Sequence, residues 1–143
     1  MKPIGSSIKL CIIICFSLFQ THKKVIPVWF EEYGIEIRDV PNFRDTIRYN
    51  KSENEDFKLV FYSSRGKCYC ERYVNGKLYE KGYFANSFDT LKQYVSKRSP
   101  GGKSTPIQVQ EYFQPLKNGE WIVYKDKMVK ETYKLGVLIS SEN

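Results

Sequence analysis

The sequence predicts an all-β protein: an open antiparallel meander of repeated β-hairpins, with one short helix near residues 88–97. Three observations lead there. Rings make up 15% of the chain, as 11 Tyr, 9 Phe and 2 Trp against only 2 Met, and rings pack best against cross-strand neighbours. Short runs of alternating apolar and polar residues recur between turn signals. Two of these runs, with their turns, repeat one another.

Taken in order, residues 1–24 read MKPIGSSIKLCIIICFSLFQTHKK. Lys2 and Lys9 precede a ten-residue apolar run, Leu10 to Phe19, which polar residues end abruptly. That length suits the hydrophobic part of a secretory signal and falls short of the ~20 residues of a membrane span. Residues 1–19 are therefore expected to be a signal peptide. The junction of Phe19 with Gln20 resembles bacterial signals that finish just ahead of a Gln. Lipidation at Cys15 is disfavoured because Ile14 stands where a small residue belongs. Removing residues 1–19 takes away two lysines and no acids, so the net charge falls from +7 to +5.

The remaining chain is long enough for one domain with a modest core. Residues 20–56 read as an N-terminal extended segment. In it, VIPVWF favours a sheet edge, and Ile35 and Ile37 share one face of IEIRDV. PNFRDTIRYN at 41–50 fits either a helix capped by Asn42 or a strand, and KSENED is a polar connection. Residues 57–143 form the repeat region. FKLVFY is a strand and SSRG a turn; CYCERYV returns, and Asn75-Gly76 is the strongest two-residue hairpin signal in the chain. KLYEKGYF completes three strands. Ser87 ahead of Leu91, Tyr94 and Val95 suggests the capped helix, and a Gly- and Pro-rich loop follows at 96–106. IQVQEYF, a turn at PLKNG, then EWIVYK, MVKETYKL and GVLI finish the chain, for seven to nine extended segments in all.

The repeat appears when WIVY-KDK-MVKETY-KLG is set beside KLVFY-SSRG-KCYCERY-VNG. Each copy has an aromatic strand, a short turn, and a polar-alternating strand ending in Tyr133 or Tyr73. A two-residue step then leads to Gly136 or Gly76. One hairpin cannot bury its own apolar face, so copies are expected to stack edge to edge. Gly76, Gly119 and Gly136 are the expected turn glycines, and Tyr73, Tyr79, Trp121, Tyr124 and Tyr133 the candidate contact or core rings. At NGEWIVY, ETYKLGVL and YVNGKLYEKGYF the chain resembles the MORN-repeat variant of exported and antitoxin-labelled bacterial proteins. The KDK turn and residues 87–110 depart from that pattern. The resemblance implies a protein-interaction module with no catalytic residues.

The chemistry is sparse. His22 is the only histidine, so the body beyond the signal lacks an imidazole for Ser-His-Asp, Cys-His or most zinc catalysis. Cys68 and Cys70, two apart, read as a small apolar patch, since two ligands fall short of a metal site. Glu31, Glu32, Glu53, Glu55 and Asp56 read as solvated acids, and SPGGKST lacks the spacing of a phosphate loop. No catalytic or metal-ligating residue, no cofactor and no enzymatic activity are expected. Lys77, Tyr79, Lys81 and Tyr83 alternate along one strand, but intervening Glu80, Glu120 and Glu131 argue against specific nucleic-acid binding. The leading expectation is an exported protein of the bacterial envelope with a protein partner. The alternatives are a cytosolic antitoxin-like regulator that keeps its first segment and a module bound to an anionic membrane surface. If residues 1–19 are a signal, intact mass and N-terminal sequencing of the native protein will find a chain starting at or near Gln20; a soluble chain retaining Met1 would contradict export.

Overall fold

The computed structural model describes residues 24–40, 44–96, 101 and 106–143; residues 1–23 (which include the expected signal peptide), Pro41 to Phe43 and most of the 96–106 loop lie outside them. Described strands are β1 (Val28–Phe30), β2 (Ile35–Ile37), β3 (Thr46–Ser52), β4 (Glu55–Phe61), β5 (Cys68–Val74) and β6 (Lys77–Phe84). They continue as β7 (Thr90–Val95), β8 (Gln108–Phe113), β9 (Lys117–Tyr124), β10 (Met128–Lys134) and β11 (Val137–Glu142). A single 3-10 turn, Glu31–Tyr33, joins β1 to β2 and closes on Gly34 at φ +64.

The main sheet has seven strands in the order β11-β10-β9-β6-β5-β4-β3, and every neighbouring pair is antiparallel. This is the open meander that the alternating runs call for. It is interrupted once, where β7 and β8 leave the sheet between β6 and β9. They form a second sheet, β2-β1-β8-β7, in which β8 meets β1 in parallel through the single pair Val28–Phe113. The N-terminal segment is split accordingly: β1 and β2 belong to the small sheet, whereas β3 and the start of β4 belong to the large one. The polar connection at 51–56 shrinks to a turn at Glu53 and Asn54.

Two local expectations are corrected. The helix expected near 88–97 is instead strand β7 over Thr90–Val95. Cross-strand pairing with β8 at Leu91–Tyr112 and Tyr94–Val109 overrides the apparent helical spacing. Ser87 does not cap a helix; its hydroxyl donates to the Asp89 carbonyl and accepts the Gln114 amide, pinning the base of the ribbon. The turn expected at PLKNG is also absent, because Asn118 and Gly119 lie within β9. There Gly82 of β6 faces the three residues Gly119, Glu120 and Trp121, a bulge for which Gly119 adopts φ +78.

The repeat is a structural fact. The units β4-β5-β6 and β9-β10-β11 each enter their last strand through a two-residue turn with both φ positive, +51 and +72 at Asn75-Gly76 and +48 and +83 at Leu135-Gly136. In each unit the register shifts just before the turn, between Arg72 and Tyr73 and between Thr132 and Tyr133. Both turns are tied back to the start of their unit, by Asn75 N–H to the Asn54 carbonyl and Gly136 N–H to the Lys117 carbonyl.

The core lies on one face of the large sheet. Phe57, Leu59 and Phe61 of β4, Cys68 and Cys70 of β5, Phe84 of β6 and Trp121 of β9 point to it by period-two alternation. Over them sits the β1–β2 cover, with Val28, Phe30, Tyr33, Ile35 and Ile37 buried. Rings interlock across the layer. Phe84 meets Trp121 edge-on at 5.1 Å and Phe30 at 4.9 Å, and Tyr33 lies 4.9 Å from Phe57. Trp121 rests on the bare backbone of Gly82, and its indole N–H donates to the Tyr83 carbonyl at 3.1 Å. A methyl group on Gly82 overlaps the indole. Gly82→Ala is therefore expected to destabilise the fold by about 1–3 kcal/mol, read as a lower urea midpoint at unchanged slope.

Candidate functional site

The five candidate rings do not converge. Trp121 is wholly buried and is a core ring. Tyr133 is half-buried beside it, 6.5 Å away, with its hydroxyl donating to Glu131 at 2.8 Å. Tyr73 lies on the opposite face and donates to Glu71, as does Tyr69, while Lys58 pairs with the same carboxylate at 3.1 Å. Tyr124, at the end of β9, pairs with Met128. Tyr79 falls at the register shift of β6, and its ring stands 5.1 Å from the Arg72 guanidinium, which also faces Tyr33 and Phe57. The Lys-Tyr row read along β6 is thus broken at Tyr79. Of the three expected turn glycines, Gly76 and Gly136 close hairpins, and Gly119 forms the β9 bulge.

An ionic cluster that the sequence reading missed lies beside Trp121. Glu80 is 3% exposed and accepts from Lys117 Nζ at 2.9 Å and from Arg72 at 3.0 Å. Lys117, 5% exposed, also bonds Glu32 at 2.8 Å, and Arg72 Nε bonds Glu55 at 2.7 Å. Glu32 and Glu55, expected to be solvated, are therefore ion-paired. The Lys117 ammonium stands 4.4 Å from the Trp121 ring, 5.3 Å from Tyr133 and 5.6 Å from Tyr33. Burial pushes the Glu80 carboxyl up, but the Lys117 charge and the bonds from Lys117 and Arg72 outweigh it and hold the group below its ordinary value. Burial likewise pulls Lys117 down, and Glu32 and Glu80 reverse the effect, so its ammonium is retained above the ordinary range. Strand parity carries a signal for this cluster. Glu80 shares a face with Gly82 and Phe84, Arg72 with Cys68 and Cys70, and Lys117 with Trp121 and Val123.

A cavity of about 270 Å³ opens next to the cluster, lined by Phe30, Glu32, Phe84, Leu116, Lys117 and Tyr133 among others. The lysine at its base is already bonded to two carboxylates, so it serves as a fastener between the cover and β9 and not as a nucleophile. Cys68 and Cys70 are free and buried, and burial pushes both thiols far up, which keeps them protonated and poor nucleophiles. Among the described residues no group of three His, Cys, Asp or Glu stands close enough to hold a metal ion, and no helix is long and apolar enough to cross a membrane.

Exposed apolar residues collect instead at two sheet margins. One is the β7–β8 ribbon, with Phe88, Leu91, Tyr94, Ile107 and Val109. The other is β11, every residue of which is exposed; Val137, Leu138 and Ile139 are 63%, 50% and 59% accessible. Among the described residues this strand has one backbone edge paired to β10 and the other open. No family model, curated protein or solved structure matches the chain.

The ionic cluster makes a pH-dependent contribution of known sign. Because the Glu80 carboxyl titrates below its ordinary 4.5, the stability it adds is present above that value and is lost as pH falls through the folded-state value. Glu80→Gln is expected to cost about 3–5 kcal/mol at neutral pH, by leaving buried positive charge less well paired, and to flatten the acid limb of stability against pH. Urea titrations of both proteins between about pH 7 and pH 3 measure the two effects.

Proposed function

We propose that this protein is a non-enzymatic interaction module exported to the bacterial cell envelope, and that it engages a protein partner through the open edge of its main sheet. One observation carries the reading: β11 ends the seven-stranded sheet with three consecutive exposed apolar residues and an unpaired backbone edge. Isolated exposed apolar side chains are ordinary, but a row of them along a free strand supports strand addition, in which main-chain bonds supply affinity and side chains supply selectivity. The opposite margin is different. β3 carries exposed Arg48, Asn50 and Lys51, the charged guarding that keeps an edge from pairing.

Further support comes from the internal repeat and from the sequence resemblance to MORN-type interaction repeats. Export rests on the apolar segment ahead of Gln20. In the cytosolic alternative, the same edge would meet a toxin, and the N-terminal sequence of the native chain separates the two.

A photo-crosslinking amino acid at Leu138 is expected to give discrete adducts in the native host, and the same group at Arg48 of β3 to give none. No adduct at Leu138, or equal adducts at both positions, would overturn the reading.

A further inference from the structure

We infer that the partner of the β11 edge is a second copy of this chain, joined to the first by a two-fold axis perpendicular to the sheet. The inference rests on the edge reading above and narrows it to one occupant. Three observations lead to it.

First, the repeat shows what the edge accepts. β11 occupies the place in its unit that β6 occupies in the preceding one, and β6 is paired on its far side with antiparallel β9. The bulge before the turn and the two positive φ values recur in both units, so β11 presents the equivalent edge with no strand against it among the described residues. The geometry therefore calls for an antiparallel strand.

Second, strand parity decides how a copy of this chain can supply one. The sheet has seven strands and every step is antiparallel, so β3 and β11 run in the same direction. A copy translated along the sheet brings β3 against β11 in parallel. Turning that copy over reverses the strand but puts its β1–β2 cover on the opposite face. Only rotation about an axis perpendicular to the sheet keeps both covers on one side and makes the strands antiparallel, and that rotation brings β11 against β11. The contact is isologous and closes on itself, as a two-fold interface must.

Third, charge favours this edge over the others. From Val137 to Ser141, β11 carries no charged residue, so two copies meet without like-charge repulsion. A β3–β3 contact brings Arg48 and Lys51 of one copy alongside those of the other, with only Lys51 partly offset by its ion pair to Glu55 at 3.3 Å, and the β7 edge carries Lys92 in mid-strand. The dimer is one continuous sheet of twice seven strands with both covers on one face. A six-residue ladder is a small interface, so the association is reversible and concentration-dependent.

The test is sedimentation equilibrium of the protein as isolated from its host, over a range of concentrations. The weight-average mass is expected to rise from one chain towards two and no further. In the double variant Val137→Lys/Ile139→Lys it is expected to stay at one. Both side chains are exposed, so circular dichroism and the melting temperature should match the parent and separate lost pairing from lost folding. An equimolar mixture with Val137→Glu/Ile139→Glu should restore the two-chain mass, which a merely structural effect of lysine cannot do. A parent that remains one chain at every concentration, or a lysine variant that dimerises like the parent, overturns the proposal. In that event Leu138 adducts to a different protein leave the interaction module standing with another occupant, and absence of any adduct removes both.

Discussion

The contact on which the rest of the structure depends is the Trp121 indole lying on Gly82. It sits at the joint between β6 and β9, where the chain returns to the large sheet after building the β7–β8 ribbon elsewhere. Without a side chain at Gly82 the two strands approach closely enough for the indole to lie across the joint, and the bulge at Gly119 takes up the extra residues. Phe84 then meets Trp121 edge-on, and through Phe84 the joint reaches Phe30 and Tyr33 of the cover. One glycine thus links the two hairpin units to each other and to the layer that buries them.

The ionic cluster around Glu80 works at the same joint by different means. Lys117 begins β9, Glu80 belongs to β6, and Glu32 belongs to the 3-10 turn of the cover, so one ammonium ties together three segments distant in sequence. Such a network has little net stabilising value over an apolar replacement, but it is costly to leave half-made, so it selects one register and one placement of the cover. The enclosing rings of Trp121, Tyr133 and Tyr33 remove water from around Lys117 and sharpen that selectivity. A lysine and a glutamate held in this way are structural.

The units are alike in turn and bulge and unlike in surroundings. β4-β5-β6 is covered by β1 and β2 and flanked on both sides, whereas β9-β10-β11 runs out from under the cover to a bare edge. A stack of repeats needs its ends blunted. At one end Arg48 and Lys51 on β3 do this, whereas the β11 edge carries Val137, Leu138 and Ile139 exposed. The two margins of the sheet therefore differ in chemistry.

Much of this was legible in the sequence because it is local. Alternation marked the strands, Asn75-Gly76 marked a hairpin with the φ values it needs, and the repeat of Tyr73 to Gly76 in Tyr133 to Gly136 marked two equivalent units. Parity placed Ile35 with Ile37 and Cys68 with Cys70, and each pair is buried together. The same parity put Glu80 and Lys117 among apolar neighbours, but their meeting needed the β6–β9 pairing, which joins segments 37 residues apart. The misread helix at 88–97 and the misread turn at Asn118-Gly119 share a cause. In both, short-range preference was overruled by a strand partner that the local residues do not reveal, β8 in the first case and β6 and β10 in the second. By itself, then, the sequence determined the class of fold and the turns at Asn75-Gly76 and Leu135-Gly136, because period-two alternation and glycine's access to positive φ are properties of neighbouring residues. Only the tertiary structure decided which acids are paired, where β7 and β8 go and which edge stays open, because these depend on backbone partners that come together from far along the chain.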